Sequence, residues 1–214
     1  MPPARWLFCY NEPMNAKFDI TGITLETERL ILRPWTYDDL DDFYEYASNP
    51  DVGPMAGWEP HKNKEVSLEI LKRFVEHKKT FAIVYKENNK AIGSLGIEFY
   101  ELEDKLTEFK DLQGRSIGYV LSKDYWGRGL MPEAVKAVIE FLFNSLNYDF
   151  LLCGHFDFNN QSRRVQEKCG FKPYRKMVFD TRIGKKEPGV LMLLLNPNKE
   201  LHLEFSHPET LIWK

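Results

Sequence analysis

The stretch of sequence that decides the fold is a glycine-containing turn, which reads Ser122-Lys123-Asp124-Tyr125-Trp126-Gly127-Arg128-Gly129-Leu130-Met131-Pro132. It joins a predicted strand at 116–122 to a predicted helix at 132–146, whose apolar residues recur every three or four positions. Gly127 and Gly129 allow positive φ and a close approach of the backbone to a ligand. Consecutive N–H groups at the positive end of a helix dipole bind phosphate or pyrophosphate. Taken alone, the same pattern also fits a tight turn that binds nothing.

Strands and helices alternate around this turn. Upstream, the hydrophobic spacing predicts a strand at 25–33, helices at 36–47 and 64–78, and a hairpin of strands at 81–85 and 91–97; downstream it predicts a strand at 150–155, a helix at 160–169, and strands at 174–180 and 190–195. Residues 101–112 are mostly charged and predict an exposed loop. The order β-α-α-β-β-β-α-β-α-β-β indicates an α/β protein (α+β mixed sheet) with helices on both faces. Three consecutive strands before the first crossover helix argue against a Rossmann fold.

A second motif lies one strand beyond the glycine turn and reads Phe158-Asn159-Asn160-Gln161-Ser162-Arg163-Arg164-Val165-Gln166-Glu167-Lys168-Cys169-Gly170-Phe171. Together the two segments resemble the GNAT superfamily of N-acetyltransferases. The turn resembles its [QR]-x-x-G-x-[GA] acetyl-CoA loop, and the second motif resembles its N-x-x-S-x-x-V-x-E-K-x-G-F helix. The resemblance covers residues 24–195 and implies a GNAT-like acyl-CoA N-acyltransferase fold, with a central mixed β-sheet flanked by helices.

Three shorter motifs resemble one branch of that superfamily, the branch that includes the ribosomal-protein-alanine (RimJ/RimL-type) N-acetyltransferases. They are Thr27-Glu28-Arg29-Leu30-Ile31-Leu32-Arg33, Ile117-Gly118-Tyr119 and Pro132-Glu133-Ala134. The resemblance implies an acetyl-CoA-dependent N-acetyltransferase, an acyltransferase that moves an acetyl group from acetyl-CoA to a primary amine by direct nucleophilic attack. The acceptor is either a protein N-terminal α-amine or a small-molecule amine, and the sequence leaves this choice open.

The resemblance also implies where acetyl-CoA would bind. The pantetheine arm would follow Val120, Leu121 and Ser122, and a backbone N–H near Leu121 would stabilise the oxyanion. Asn159 would contact the cofactor or fix a loop, and the loop 51–62 with the turn 181–188 would frame the acceptor site. The pyrophosphate would lie on the loop residues Trp126, Gly127, Arg128, Gly129, Leu130, Met131 and Pro132.

Two proton-handling groups are expected in such an enzyme. Many superfamily members use a tyrosine seven residues after the helix-start asparagine to serve the leaving thiolate, but Gln166 occupies that position here. Ser162 precedes it by four residues on the same helix face and is the predicted catalytic replacement, unless it only caps its helix. Glu98 is the predicted general base. A solvated carboxylate at that position and a water chain without a single base remain alternatives.

Composition excludes several other classes. Hydrophobic residues make up 43% and charged residues 29% of the 214 residues, which is typical of a globular protein. A net charge of −3 gives no support for nucleic-acid binding, and no apolar run is long enough to span a membrane. Cys9, Cys153 and Cys169 form no C-x-x-C pair and the histidines have no short ligand spacing, so we expect no metal and no disulfide. We therefore expect a cytoplasmic protein.

The predicted domain organisation has three parts: an N-terminal extension at 1–23, an acetyltransferase domain at 24–195, and a C-terminal extension at 196–214 packed on the same domain. Met14 is an alternative start. Alternation at Leu201, Leu203 and Phe205 predicts an added edge strand or a dimer contact, so the protein is a monomer or a homodimer. The alternative function is a catalytically inactive acetyl-CoA-binding sensor or interaction domain, for which Gln166 in place of tyrosine is the support.

Overall fold

The computed structural model describes residues 18–98, 109 and 112–201, and within these ranges the chain forms a single eight-stranded mixed sheet. The strands lie in the order β1-β2-β3-β4-β5-β6-β8-β7, and only β5 and β6 run parallel to each other. Their bounds are β1 Leu25–Glu26, β2 Leu30–Pro34, β3 Thr80–Tyr85, β4 Lys90–Glu98, β5 Gly114–Leu121, β6 Phe150–Phe156, β7 Lys172–Asp180 and β8 Lys186–Leu195.

Four α-helices cover the sheet in the described part of the chain: α1 Leu40–Ala47, α2 Lys64–His77, α3 Leu130–Glu140 and α4 Asn160–Lys168. Helices α1 and α2 pack on one face, around a cluster that contains Trp35, Phe43 and Leu71. Helices α3 and α4 cover the other face, where the largest buried cluster lies. The predicted α/β class, with a mixed sheet and helices on both faces, is therefore confirmed. None of the helices in the described ranges is long and apolar enough to cross a membrane.

A gap opens in the middle of the sheet. The parallel strands β5 and β6 pair only from Gly114 to Ser116 and from Phe150 to Leu152, although β5 continues to Leu121 and β6 to Phe156. Beyond these pairs the two strands separate, while β4 stays paired with β5 and β8 stays paired with β6. The separation leaves the facing edges of β5 and β6 free of each other at the end of the sheet where the glycine turn begins.

The predicted strand at 25–33 is wrong in one respect, because the run folds into two short strands. Leu30 N–H donates to Thr27 Oγ1 at 2.9 Å and Thr27 N–H donates to the Leu30 carbonyl at 3.0 Å, which closes a tight turn between β1 and β2. The predicted helix at 132–146 also differs. It begins at Leu130 and its α-helical part ends at Glu140, after which Phe141–Ser145 form a π-helical turn.

Part of the predicted exposed loop at 101–112 is also corrected. Phe109 is fully buried and stacks on Phe150 with ring centroids 4.2 Å apart. It packs beside Tyr174 and Leu191, on the half of the α1 and α2 face of the sheet that these two helices do not cover. Leu112 is partly buried against the same cluster, and the remaining residues of the predicted loop lie outside the described residues. The predicted start at Met14 and the predicted strand or dimer contact at Leu203 and Phe205 lie outside them as well.

Candidate active site

The turn after β5 leaves its backbone open to solvent while its side chains anchor it. Gly127 and Gly129 both adopt positive φ, at 74° and 77°, as the sequence predicts. A Cβ at Gly127 would meet no atom within 4 Å. Leu130 and Met131 are buried under the sheet, and together with Pro132 they form the first turn of α3. The loop therefore presents main-chain groups over open space, with a helix start directly behind them.

The start of α3 differs from the starts of two other helices. Asn63 caps α2 by accepting from Val66 N–H at 3.1 Å, and Asn159 caps α4 by accepting from Ser162 N–H at 2.9 Å. Helix α3 instead has Gly129 at its N-cap position, and glycine has no side chain to accept from the first N–H groups of the helix. N–H groups without a capping side chain at a positive helix end form a fitting site for a pyrophosphate.

An ion pair between Arg29, in the turn between β1 and β2, and Glu133 of α3 holds this loop in place. Glu133, in the first turn of α3, accepts from Thr27 Oγ1 at 2.6 Å, from Arg29 N at 2.9 Å and from Arg29 Nε at 2.8 Å. Arg29 Nη1 also donates to the Arg128 carbonyl in the loop at 3.0 Å. Burial opposes ionisation of Glu133, but these hydrogen bonds outweigh it and lower the pKa of the carboxyl. The loop is thus fastened to the first strands and has a guanidinium beside it.

Two loop side chains face the protein. The Arg128 guanidinium lies over the rings of Tyr85 and Tyr125, at 5.0 and 5.3 Å, and donates to Tyr85 Oη at 2.7 Å. The Trp126 indole donates to the Leu121 carbonyl at 2.8 Å. These contacts indicate that the side chains of Arg128 and Trp126 stabilise the conformation of the loop, so that its main chain is what faces solvent. Direct contact of either side chain with a cofactor stays a prediction.

Of the three predicted pantetheine residues, Leu121 is the one whose main-chain groups point to the edge of β5 that faces the gap. Ser122 N–H donates to the Ile92 carbonyl at 2.8 Å, towards β4. Because consecutive peptide groups of a strand point to opposite sides, the N–H of Leu121 points towards the gap. The side chain of Val120 lies on the face of the sheet that α1 and α2 cover. The geometry agrees with an oxyanion role for the Leu121 N–H, which stays a prediction.

Asn159 joins two segments of the site. Its side-chain oxygen caps α4, and its Nδ2 donates to the Met55 carbonyl at 2.8 Å. Of the two predicted roles, contact with the cofactor or fixing of a loop, these bonds support the second. The loop 51–62 is also tied to the turn after β7, because Arg182 N–H donates to the Gly57 carbonyl at 2.8 Å. The two segments predicted to frame the acceptor are therefore neighbours, with the start of α4 beside them.

Ser162 belongs to a buried polar cluster on the far wall of the gap. Its Oγ lies 3.1 Å from Tyr119 Oη and accepts from Gln166 Nε2 at 3.2 Å. Gln166 is 1% exposed, and its amide also contacts Cys153 Sγ at 3.0 Å and His155 Nδ1 at 2.6 Å. Since the cap of α4 is Asn159, the alternative that Ser162 caps the helix with its side chain finds no support.

Glu98 lies at the end of β4, on the sheet face opposite to Tyr119. Its Oε2 pairs with Lys79 Nζ at 2.6 Å, and its Oε1 lies 2.8 Å from where a Cβ of Gly96 would be. Gly96 is paired with Gly118 of β5, which is exposed although it lies in a central strand, and whose Cβ would meet nothing within 4 Å. The carboxylate therefore lies beside open space next to the gap, but an ammonium group already occupies one of its oxygens.

Sequence reasoning missed three residues of this site. Arg29, Glu133 and Tyr119 all stand in the short motifs quoted above, but the motifs gave them no role. Arg29 and Glu133 are 104 positions apart and Tyr119 and Ser162 are 43 apart, so no local sequence pattern indicates that they are in contact. Within the described ranges, no group of three or more His, Cys, Asp or Glu side chains is placed to hold a metal ion. The expectation of a metal-free site stays a prediction.

Comparisons with known proteins agree with this geometry. The model of the acetyltransferase (GNAT) domain matches residues 29–172. An uncharacterized N-acetyltransferase, p20, of Bacillus licheniformis is 30% identical over 129 residues, which is 58% of this chain and 68% of that protein.

Solved structures share the fold at lower identity. A ribosomal-protein-S5-alanine acetyltransferase from Vibrio fischeri is 20% identical, with a TM-score of 0.61, and the match covers 84% of this chain and 100% of the other. A spermidine N-acetyltransferase from Vibrio cholerae, solved with CoA and spermine, is 16% identical with a TM-score of 0.63, over 79% and 97% of the two chains.

Proposed function

Because the chain belongs to the GNAT acetyltransferase family, and is thus an acyltransferase enzyme, we propose that acetyl-CoA binds at the loop 126–132 and at the free edge of β5. The acetyl group is transferred by direct attack of a primary amine on the thioester carbonyl. The observation that carries this proposal is the start of α3, where Gly129 leaves the first N–H groups without a capping side chain. Open space lies over Gly127, and Arg29 Nη2 lies 3.7 Å from where a Cβ of Gly129 would be.

The residues of this chain divide the work by position. The N–H groups of 127–131 hold the pyrophosphate, and the N–H of Leu121 donates to the carbonyl oxygen as negative charge develops on it. Ser162 donates a hydrogen bond to the departing sulfur from the α4 side. Glu98, on the opposite face, accepts a proton from the amine, directly or through water. Holding donor and acceptor together in this gap supplies a large part of the rate enhancement.

For the acceptor we propose the N-terminal α-amine of a peptide, as in the ribosomal-protein-alanine branch. The edge of β6 from Cys153 to Phe156 is free of β5, and although the Gly154 and Phe156 carbonyls already accept from Gln166 Nε2 and Asn159 N–H, its N–H groups can pair with an extended peptide. A polyamine needs a carboxylate-lined pocket, whereas the wall near Gly57 is built from Phe156, Phe179 and Thr181. A small-molecule amine remains the second candidate. The three-part division of the chain, a monomer or homodimer, and a cytoplasmic location stay part of the proposal.

Calorimetric titration with acetyl-CoA tests the cofactor site. We expect micromolar binding to the wild type and its loss in Gly129→Trp, since the indole would cover the start of α3. Gly22→Trp is the control for the strain of a side chain at positive φ, because Gly22 also has positive φ (73°) but lies in another turn. Equal binding by both variants would contradict the proposed site.

Thiol release with peptides beginning with alanine or serine, and with spermidine, then tests turnover. Release with a peptide supports the proposed acceptor, and release with spermidine alone supports the second candidate. Binding of acetyl-CoA without release for any amine would favour the inactive sensor, and absence of binding by a folded wild type would refute the proposal.

A further inference from the structure

A tyrosine hydroxyl crosses the gap between β5 and β6 at the point where the strands have separated. Tyr119 stands three positions beyond Ser116, the last β5 residue paired with β6. Its Oη lies 3.1 Å from the Ser162 carbonyl oxygen and 3.1 Å from Ser162 Oγ. Helix α4 contributes Gln166 to the same contact, so Ser162 Oγ lies between a residue of strand β5 and a residue of its own helix.

The hydrogen-bonding capacity of these groups limits where the protons can point. Tyr119 has one hydroxyl proton and lies 3.1 Å from two oxygens, the Ser162 carbonyl and Ser162 Oγ, and in the second contact either oxygen could be the donor. Gln166 Nε2 only donates, and its two protons have three acceptors within reach: Ser162 Oγ, the Gly154 carbonyl and Cys153 Sγ. In the arrangement where Tyr119 and Gln166 both donate to Ser162 Oγ, its two lone pairs are occupied and the Ser162 hydroxyl proton points out of the cluster. In the arrangement where Tyr119 donates to the Ser162 carbonyl instead, Ser162 can donate to Tyr119 Oη. Burial raises the pKa of Tyr119 well above its usual range, which keeps this donor protonated.

We propose that Tyr119 is a positioning residue that, together with Gln166, turns the Ser162 hydroxyl proton towards the leaving sulfur. This inference rests on the proposed function of the gap. In the reaction the N–C bond forms and the C–S bond breaks, and the electron pair of the broken bond goes to sulfur. The hydrogen bond from Ser162 stabilises that charge, and the proton that the amine nitrogen loses balances it. Tyr119 itself neither gains nor loses a proton.

A double-mutant cycle measures the coupling between the two hydroxyls. The assay is thiol release at saturating acetyl-CoA, with the best acceptor among the alanine and serine peptides and spermidine. We expect Ser162→Ala to lower kcat by about 100-fold, the lower end of what a positioned proton donor contributes. Tyr119→Phe should lower kcat by about 10-fold, with the calorimetric Kd of acetyl-CoA unchanged. The double variant should be no slower than Ser162→Ala alone.

The control is Tyr148→Phe, which removes the hydroxyl of a buried tyrosine in the turn before β6. This variant should leave kcat unchanged. An unchanged kcat in Tyr119→Phe would overturn the inference. So would a further 10-fold loss on adding Tyr119→Phe to Ser162→Ala, because the tyrosine would then act independently of the serine. The proposed function fails separately, by absence of acetyl-CoA binding and thiol release in the wild type.

Discussion

Replacing Glu133 by alanine should release the loop 126–132 from the first strands of the sheet. The carboxylate accepts three hydrogen bonds of 2.6 to 2.9 Å, and Arg29 Nη2 adds an ion-pair contact at 2.6 Å. Charge-assisted bonds of this kind are each worth about 1.5 to 3 kcal/mol when buried. The Arg29 side chain is 39% exposed, so solvent screening reduces the sum to about 3 kcal/mol. For a chain of this length, that corresponds to a Tm lower by about 6 to 12 °C.

The effect on acetyl-CoA should exceed a general loss of stability. Without Glu133, Arg29 loses the contact that aims its Nη1 at the Arg128 carbonyl, and the loop must be ordered when the cofactor binds. We expect Kd to rise about 10-fold, since that ordering costs on the order of 1.4 kcal/mol. Differential scanning fluorimetry and calorimetric titration measure the two quantities separately.

Asp41→Ala is the matched control for this experiment. Asp41 forms an ion pair with Lys64 at 2.7 Å, but both side chains are exposed and the pair is far from the loop in the chain. Its loss should change Tm by about 2 °C or less and leave Kd unchanged. If Glu133→Ala behaved like Asp41→Ala in both measurements, the argument that this pair fastens the loop would be refuted.

The same contact predicts a pH dependence with a definite sign. The folded-state pKa of Glu133 is lowered, so its stabilisation is complete above the unfolded value of 4.5 and is lost as pH falls through the folded pKa. The difference in Tm between the wild type and Glu133→Gln should therefore be constant at neutral pH and shrink below about pH 4.5. A difference that grew on acidification would contradict this assignment.

Three further predictions concern two glycines with open space around them, Gly118 and Gly127, and the two buried cysteines. Gly118→Leu should fold with an unchanged Tm, since its Cβ meets nothing within 4 Å, but thiol release should fall because the side chain fills the space beside the gap. Gly127→Ala should lower Tm by about 2 to 8 °C, the effect of 1 to 2 kcal/mol of strain at positive φ, and weaken acetyl-CoA binding. Burial raises the pKa of Cys153 to about 12 and of Cys169 to about 11, so a Cys9→Ser variant should react with Ellman's reagent only after unfolding.

Local rules predicted those features of the fold that depend on neighbours in the chain. The hydrophobic spacing identified the hairpin of β3 and β4 and the helices α2 and α4 within a residue or two of their ends. The split of the first strand was missed, because it depends on a turn closed by the Thr27 side chain. The burial of Phe109 was missed too, since a charged local sequence says nothing about an uncovered sheet face elsewhere.

The sequence by itself determined the glycine turn before α3, because positive φ at Gly127 and Gly129 and the start of a helix are properties of a few consecutive residues. Only the tertiary structure decided what surrounds that turn. The gap between β5 and β6, the contact of Arg29 with Glu133 and the contact of Tyr119 with Ser162 all join residues far apart in the chain. Such contacts arise from sheet order and helix packing, which fix distances that no spacing along the sequence encodes.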